Sequence, residues 1–521
     1  MRLRKLPTKA ATRAVAVTVC CSTALLDPSF AMAAGRAPKP AFSADPLATW
    51  QTNGIVWSLA SVGRVVYVGG TFTSVRPPGA APGTREVRRH NFAAFDAVTG
   101  ALLPCAPSFT GGEATVRALK ASPDGRVLYV GGSFDHVRST GVASAVALNT
   151  AGCTLRKDFR PAVSATVRAI DTTDRTVYLG GDFDLVDGRS RNHVAALTPA
   201  GTLLPFQADI DAPVRALSVV PAHEKLYVGG EFEWVDGQRA HSLAALNPTT
   251  GRLAHTYPDW LPPKSAVKSI AHDGTRFYVG AEGTGEGVFD GRIAGWLSDD
   301  ATVWKDTCLG ATQAVLPYKG VLYSASHAHD CTDTPGGFPD RHDRQHLLAQ
   351  SPDNRTILHW FPDTDEGEGK GVAGVGPRAL AVARGILWVG GEFGQVNDRP
   401  QQGLTRFGAG PGTVAPKAPA LSVSAASPGK VTLRWQASWD RTTAALTYRL
   451  YRDGRLVARR TSSSTYWDRP WLSYTDSVRA GTRHRYRIEV TDGTNTSRKS
   501  RSLNVTVPTK ATARAAGDTR T

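Results

Sequence analysis

Beyond its first thirty-odd residues the chain carries its apolar positions in short runs, broken at close intervals by Gly, Pro, Asn and Asp. Tetrapeptides such as Val116-Arg-Ala-Leu119 and Val167-Arg-Ala-Ile170 precede compact stretches such as His193-Val-Ala-Ala-Leu197 and Ser242-Leu-Ala-Ala-Leu246. Turn residues follow, as in Asn247-Pro-Thr-Thr-Gly251, and then a brief alternating segment such as Thr202-Leu-Leu-Pro-Phe206. Such runs, bounded by turn formers and free of a helical period, predict short antiparallel strands and an all-β fold.

These segments belong to a repeat. Tyr67-Val-Gly-Gly-Thr-Phe72 returns at Tyr129, Tyr178 and Tyr227, fades at Tyr278-Val-Gly-Ala-Glu282 and Tyr323-Ser-Ala-Ser-His327, and reappears as Trp388-Val-Gly-Gly-Glu-Phe393. A repeat of four strands at a spacing of about 49 residues fits one blade of a β-propeller, and there are about seven copies. The paired glycines predict a close backbone approach at the end of the second strand. The last copy stops after its third strand, near Leu404 to Phe407, whereas Ala48-Thr-Trp-Gln-Thr52 precedes the first. That N-terminal segment is expected to complete the last blade and close the ring, leaving no free edge.

The pattern Tyr-Val-Gly-Gly-x-Phe-x-x-Val-x-Gly, followed by Leu-Ala-Ala-Leu-Asn-x-x-x-Gly, resembles the bacterial delta-60 propeller repeat over residues 45–410. After a linker at 411–419, residues 420–508 resemble a fibronectin type III domain. Val431-Thr-Leu-Arg-Trp435 stands for its second strand and core tryptophan, Leu446 to Gly454 for its third strand and turn, and Tyr486-Arg-Ile-Glu-Val490 for its sixth. The resemblances imply a propeller of about seven blades followed by a β-sandwich and name no activity; the small, polar composition of 509–521 reads as a disordered tail.

The opening residues read as an export signal. Arg2, Arg4, Lys5, Lys9 and Arg13 precede an apolar run, Ala14 to Leu26, too short to span a bilayer, and Ala31-Met-Ala33 offers a cleavage site. Residues 1–33 are therefore expected to leave a secreted or wall-associated protein with no membrane span. Cys20 and Cys21 depart with them, leaving Cys105, Cys153, Cys308 and Cys331 for two disulfides with three possible connectivities. The formal net charge is +16. From Pro416 onward 20 Lys and Arg face 7 Asp and Glu, so the repeat region is near neutral and attraction to polyanions belongs to the C-terminal part.

Comparing the copies position by position picks out two columns. The second residue of the first strand is Trp57, Arg117, Arg168, Arg215, Lys268, Gln313 and Arg378 in turn, and the residue after the double glycine is Thr71, Ser133, Asp182, Glu231, Glu282, His327 and Glu392. Arg168 matches Asp182, Arg215 matches Glu231, Lys268 matches Glu282 and Arg378 matches Glu392. Cross-strand ion pairs around the ring and a charged, ligand-binding funnel are both open on this pattern. Arg117 faces only Ser133 and is free to bind. A carboxylate beside Arg stays ionised and makes a poor general acid, which argues against catalysis. His327, His329, His342 and His346 carry the spacing of a divalent-metal site, the one cofactor the chain offers. Asp363, Asp365, Glu366 and Glu368 read as a solvated loop.

Together these features point to a monomeric, non-catalytic extracellular binding or adhesion protein. Its propeller would present a surface to a glycan or surface protein, and its basic module would hold an anionic wall polymer, with no nucleic-acid partner. A secreted polysaccharide-acting enzyme, a glycosidase or lyase, is the alternative; it requires two unpaired carboxylates facing one cleft.

Overall fold

The computed structural model describes residues 38–510, apart from Thr284, Glu286, Thr307, Leu309, 341–343 and 368–373. The expected export signal and most of the expected tail lie outside the described residues, as does His342. The chain is all-β. Among the described residues, twelve small antiparallel sheets lie along residues 42–409, and seven of them are built on the long strand pairs of the repeat. Their first strands are Ile55–Val62, Thr115–Ala121, Val167–Thr172, Val214–Val220, Ser265–His272, Thr312–Tyr318 and Pro377–Ala383. Each first strand lies against the next, and the seventh returns to the first, so the sheets form a β-propeller ring. The sheets are numbered 1 to 7 in this order.

Apolar cores fill the gaps between neighbouring sheets all the way round. Between sheets 3 and 4, for example, Tyr178, Phe206, Leu226, Val228 and Phe232 pack together, all buried. This division explains why the repeat carries apolar residues on both faces of its middle strands: each sheet is covered on both sides.

Ring closure departs from the expectation in its register. The strand completing sheet 7 is Phe42–Pro46, which pairs antiparallel with Leu404–Ala409, and not the segment at residues 48–52. Gln51–Thr52 pairs instead with Ser74–Arg76, and Trp50 lies 6.4 Å from Phe95 in sheet 1. The choice follows from packing. Phe42 stacks on Tyr318 at 5.4 Å and meets Tyr323 at 5.1 Å, filling the core between sheets 6 and 7.

The double glycine has two separate causes. A Cβ on the first glycine of the pair would press on the next sheet: Gly69 would meet Val116 Cγ1 at 2.4 Å, and Gly390 would meet Val56 Cγ1 at 2.3 Å across the closure. A Cβ on the second would strike the backbone of its own sheet, as Gly132 would meet the Thr115 carbonyl oxygen at 2.0 Å. Overpacking of this kind costs about 1–3 kcal/mol per site. Where the repeat fades, a polar network replaces that fit. Ser326 stands at the second glycine position and Thr312 at the usual valine, and both bond to Arg292. Arg292 and Asp306 are fully buried and paired at 2.8 Å, and Asp306 also accepts from Thr334 and Gln350.

Residues 422–506 form a sandwich of a three-stranded and a four-stranded sheet around Trp435, Tyr448, Tyr486 and Ile488. The sandwich is docked on sheets 6 and 7. Phe361 N donates to the Arg441 carbonyl at 2.9 Å and Arg441 Nη1 donates back to the Phe361 carbonyl at 3.0 Å. Phe361 also meets Trp467 at 5.1 Å. The closing strand itself is gripped: Ala44 N donates to Thr442 Oγ1 at 3.0 Å, and Asp45 accepts from Thr413 N and Val414 N. Disulfides join Cys105 to Cys153 and Cys308 to Cys331. No helix among the described residues is long and apolar enough to cross a membrane.

Candidate functional site

Every member of the first column occupies a β-bulge. In sheet 3 Val167 pairs with Gly181 and Ala169 with Gly180, which leaves Arg168 without a partner across the ladder. The same break isolates Trp57, Arg117, Arg215, Lys268, Gln313 and Arg378. A bulge frees one residue from the ladder and re-aims its side chain. Here it does so at seven positions around the ring, five of them opposite the double glycine.

Four of these side chains meet the acid of their own sheet. Arg168 binds Asp182 through two nitrogens at 2.5 Å, Arg215 meets Glu231 at 2.5 Å, Lys268 meets Glu282 at 2.6 Å and Arg378 meets Glu392 at 2.7 Å. Their burial differs. Arg378 and Glu392 are only 7% and 3% exposed, whereas Glu231 is 39% exposed. Gln313 joins the pattern across sheets, donating to Glu282 at 2.6 Å. Burial pushes the Glu282 carboxyl up, but the charge of Lys268 and the bonds from Lys268 and Gln313 outweigh it and hold it below the ordinary range.

Sheets 1 and 2 break the pattern. Trp57 donates from Nε1 to Thr71 Oγ1 at 2.9 Å, and Thr71 is bonded to Thr115 at 2.7 Å, so the ring of Trp57 is fixed in place. Arg117 lies over that ring at 3.7 Å, and Arg378 from the other neighbouring sheet lies over it at 4.5 Å. Arg117 makes no ion pair among the described residues, and its buried Nε has no hydrogen-bond partner. Burial, then the charges of Arg168, Arg378 and Arg215, pull its guanidinium down to about 10. Arg117 borders a cleft of about 620 Å³ between sheets 1 and 2, together with Thr71, Asn91, Thr110, Gly111 and Thr115. The repeat pattern points to Arg117 but not to the role of Trp57, because the platform it supplies lies in a different copy of the repeat.

Three of the four candidate histidines are among the described residues. His327 and His346 rings are 6.2 Å apart, His346 Nδ1 lies 3.2 Å from Asp363, and His329 sits 3.7 Å from Asp340. Burial pulls the His327 imidazole below its ordinary range, against the pull of Glu366. Among the described residues no group of three His, Cys, Asp or Glu side chains is placed to hold a metal ion. Two carboxylates expected in a solvated loop instead fasten backbone: Asp363 accepts from His346 N, and Asp365 accepts from Gly394 N and Gln395 N.

The sandwich carries a basic face. Arg483, Arg485 and Arg487 alternate outward along one strand while Tyr486 and Ile488 point into the core. On adjoining strands Arg449 stands directly opposite Arg459, an unfavourable pairing of like charges. Glu489 offsets it through a 3.4 Å contact with Arg449.

No family model matches the chain, and no curated protein matches it. Solved structures similar to it include a chain of a mitotic checkpoint complex, at 15% identity and a TM-score of 0.45, covering 72% of this chain and 98% of that one. The Saccharomyces cerevisiae protein Sqt1 is similar at 11% identity and a TM-score of 0.39, covering 71% and 99%. A dihydro-heme d1 dehydrogenase, NirN, is similar at 13% identity and a TM-score of 0.37, covering 70% and 76%. Likeness at this level says nothing of ligand or activity.

Proposed function

We propose that this chain is a secreted, wall-associated binding protein, a seven-bladed propeller of the delta-60 type followed by a fibronectin type III module, without catalytic activity. The observation that carries this reading is the occupancy of the axial columns. Each of their four carboxylates is held by a cation within 2.7 Å, whereas one cation, Arg117, has no carboxylate. These four carboxylates, each tied to a cation, are not the free pair that glycoside hydrolysis needs. A ring with an untied guanidinium can still recognise. The export signal expected at residues 1–33 and the two disulfides support an extracellular setting.

In the same reading the outward face of Arg483, Arg485 and Arg487 holds anionic wall polymer. The full-length secreted protein should co-sediment with purified bacterial cell walls, with binding that weakens steeply as salt rises, and should release no sugar. Substituting the three arginines with Gln should abolish most of the sedimentation. Salt-independent binding would argue against the basic face, and release of sugar would favour the polysaccharide-acting enzyme instead.

A further inference from the structure

We infer that the cleft between sheets 1 and 2 is a subsite for an oxyanion, a carboxylate, sulfate or phosphate carried on a sugar-sized ligand, anchored by Arg117. This inference rests on the binding reading above and deepens it. Five of the seven bulge positions carry a cation, and four of those cations are used up inside the protein. Arg117 alone is mounted on an aromatic face instead of an acid. Stacking of this kind fixes the plane of a guanidinium while leaving its charge unneutralised. The bulge delivers that charge to the edge of a cleft of about 620 Å³, within the size range of small-ligand sites.

The surroundings favour an anion. Arg168, Arg378 and Arg215 act on Arg117 as like charges, offset in part by Asp182, so the net field at this guanidinium favours an incoming oxyanion. Thr71, Thr110 and Thr115 line the same cleft with hydroxyls. Arg117 and a planar oxyanion can form the two-pronged, charge-assisted hydrogen bond that a lysine cannot match. At the equivalent edge between sheets 4 and 5, the cleft is lined by Glu231 and Glu282 and measures about 300 Å³. Both of those carboxylates already hold cations, Arg215 and Lys268, whereas the Arg117 cleft carries one carboxylate, the exposed Glu113, beside a guanidinium with no ion pair among the described residues.

The test is calorimetric titration of the full-length protein with four probes: a trigalacturonate, a sulfated disaccharide, a short glycerol phosphate oligomer and a neutral maltotriose. At least one anionic probe should bind saturably in the millimolar range or tighter, and maltotriose should not. Arg117→Gln should weaken that binding about tenfold or more with an unchanged melting temperature, and Arg117→Lys should recover only part of it. Because the basic face of the sandwich is intact in both variants, loss of binding reports on the cleft. Equal binding by Arg117→Gln, or no saturable binding of any anionic probe, overturns the subsite. Binding of maltotriose as tight as that of the anionic probes also overturns it, yet leaves the binding reading standing. Turnover of any probe defeats the non-catalytic reading instead, and the subsite is then decided by Arg117→Gln alone.

Discussion

The two sides of the axial ring use one backbone device for opposite ends. In sheets 3, 4, 5 and 7 the bulge turns a cation toward an acid, and the two lock together. In sheets 1 and 2 the bulge is the same, but the partners are Trp57 and Arg117, and the charge is supported without being cancelled. The difference lies in single residues at the ends of second strands: Asp182, Glu231, Glu282 and Glu392 on one side, Thr71 and Ser133 on the other. A repeat can therefore make rigidity and reactivity from the same geometry, by changing one side chain per copy.

Both sides exist only in a closed ring, so the largest effect should come from removing the closing strand. Deletion of residues 38–47 should abolish the cooperative thermal transition, removing most of a net stability of about 5–15 kcal/mol. A circular-dichroism melt at the full-length temperature would show that closure does not depend on Phe42–Pro46. Next, Glu392→Gln leaves Arg378 charged and almost fully buried, which should cost about 3–5 kcal/mol. The more exposed Asp182→Asn should cost about 0–1 kcal/mol. Equal losses in chemical denaturation would erase the distinction between a buried lock and a surface pair.

The open side can be converted into a locked one. Ser133→Glu copies the arrangement of Arg215 and Glu231, and should stabilise the fold by up to about 1 kcal/mol while abolishing anion binding at Arg117. Retained binding would mean that Arg117 is not the anchor. The smallest effect concerns acid. Since the Glu282 carboxyl is held below its ordinary range, its contribution is complete above the unfolded value and is lost as pH falls through the folded one. Glu282→Gln should therefore flatten the acid limb of the stability profile, slightly and only below about pH 4.5. An unchanged acid limb would assign the acid sensitivity to other carboxylates.

Much of this was legible in the repeat. Its double glycine and apolar runs mark the second and third strands of each sheet, and aligned copies bring Arg168 to Asp182 and Arg215 to Glu231. Three features were not. The closing strand was misplaced because Trp50 and Phe42 both mark plausible strands, and only three-dimensional packing shows that Phe42 belongs with Tyr323 while Trp50 belongs with Phe95. The bulges are invisible because they add no unusual residue; they show only as a register shift in a ladder. The partnership of Trp57 with Arg117 joins two copies of the repeat, and a comparison within copies cannot reveal it.

The grip of the C-terminal sandwich and its linker on the closing strand has a consequence in time. Ala44 and Asp45, near the beginning of the folded chain, are held by Thr442, Thr413 and Val414, and their pairing strand is Leu404–Ala409. During synthesis the first strand must wait for roughly 360 further residues before its pairing strand exists. Contacts this distant in sequence form late, because the intervening chain must first be ordered. Sheets 1 to 5 can assemble as they emerge, with Arg117 meeting Trp57 early, but Arg378 reaches that ring only when sheet 7 closes the circle. A chain halted before Leu404–Ala409 is therefore an open arc, with Arg117 on Trp57 but no strand to receive Phe42–Pro46.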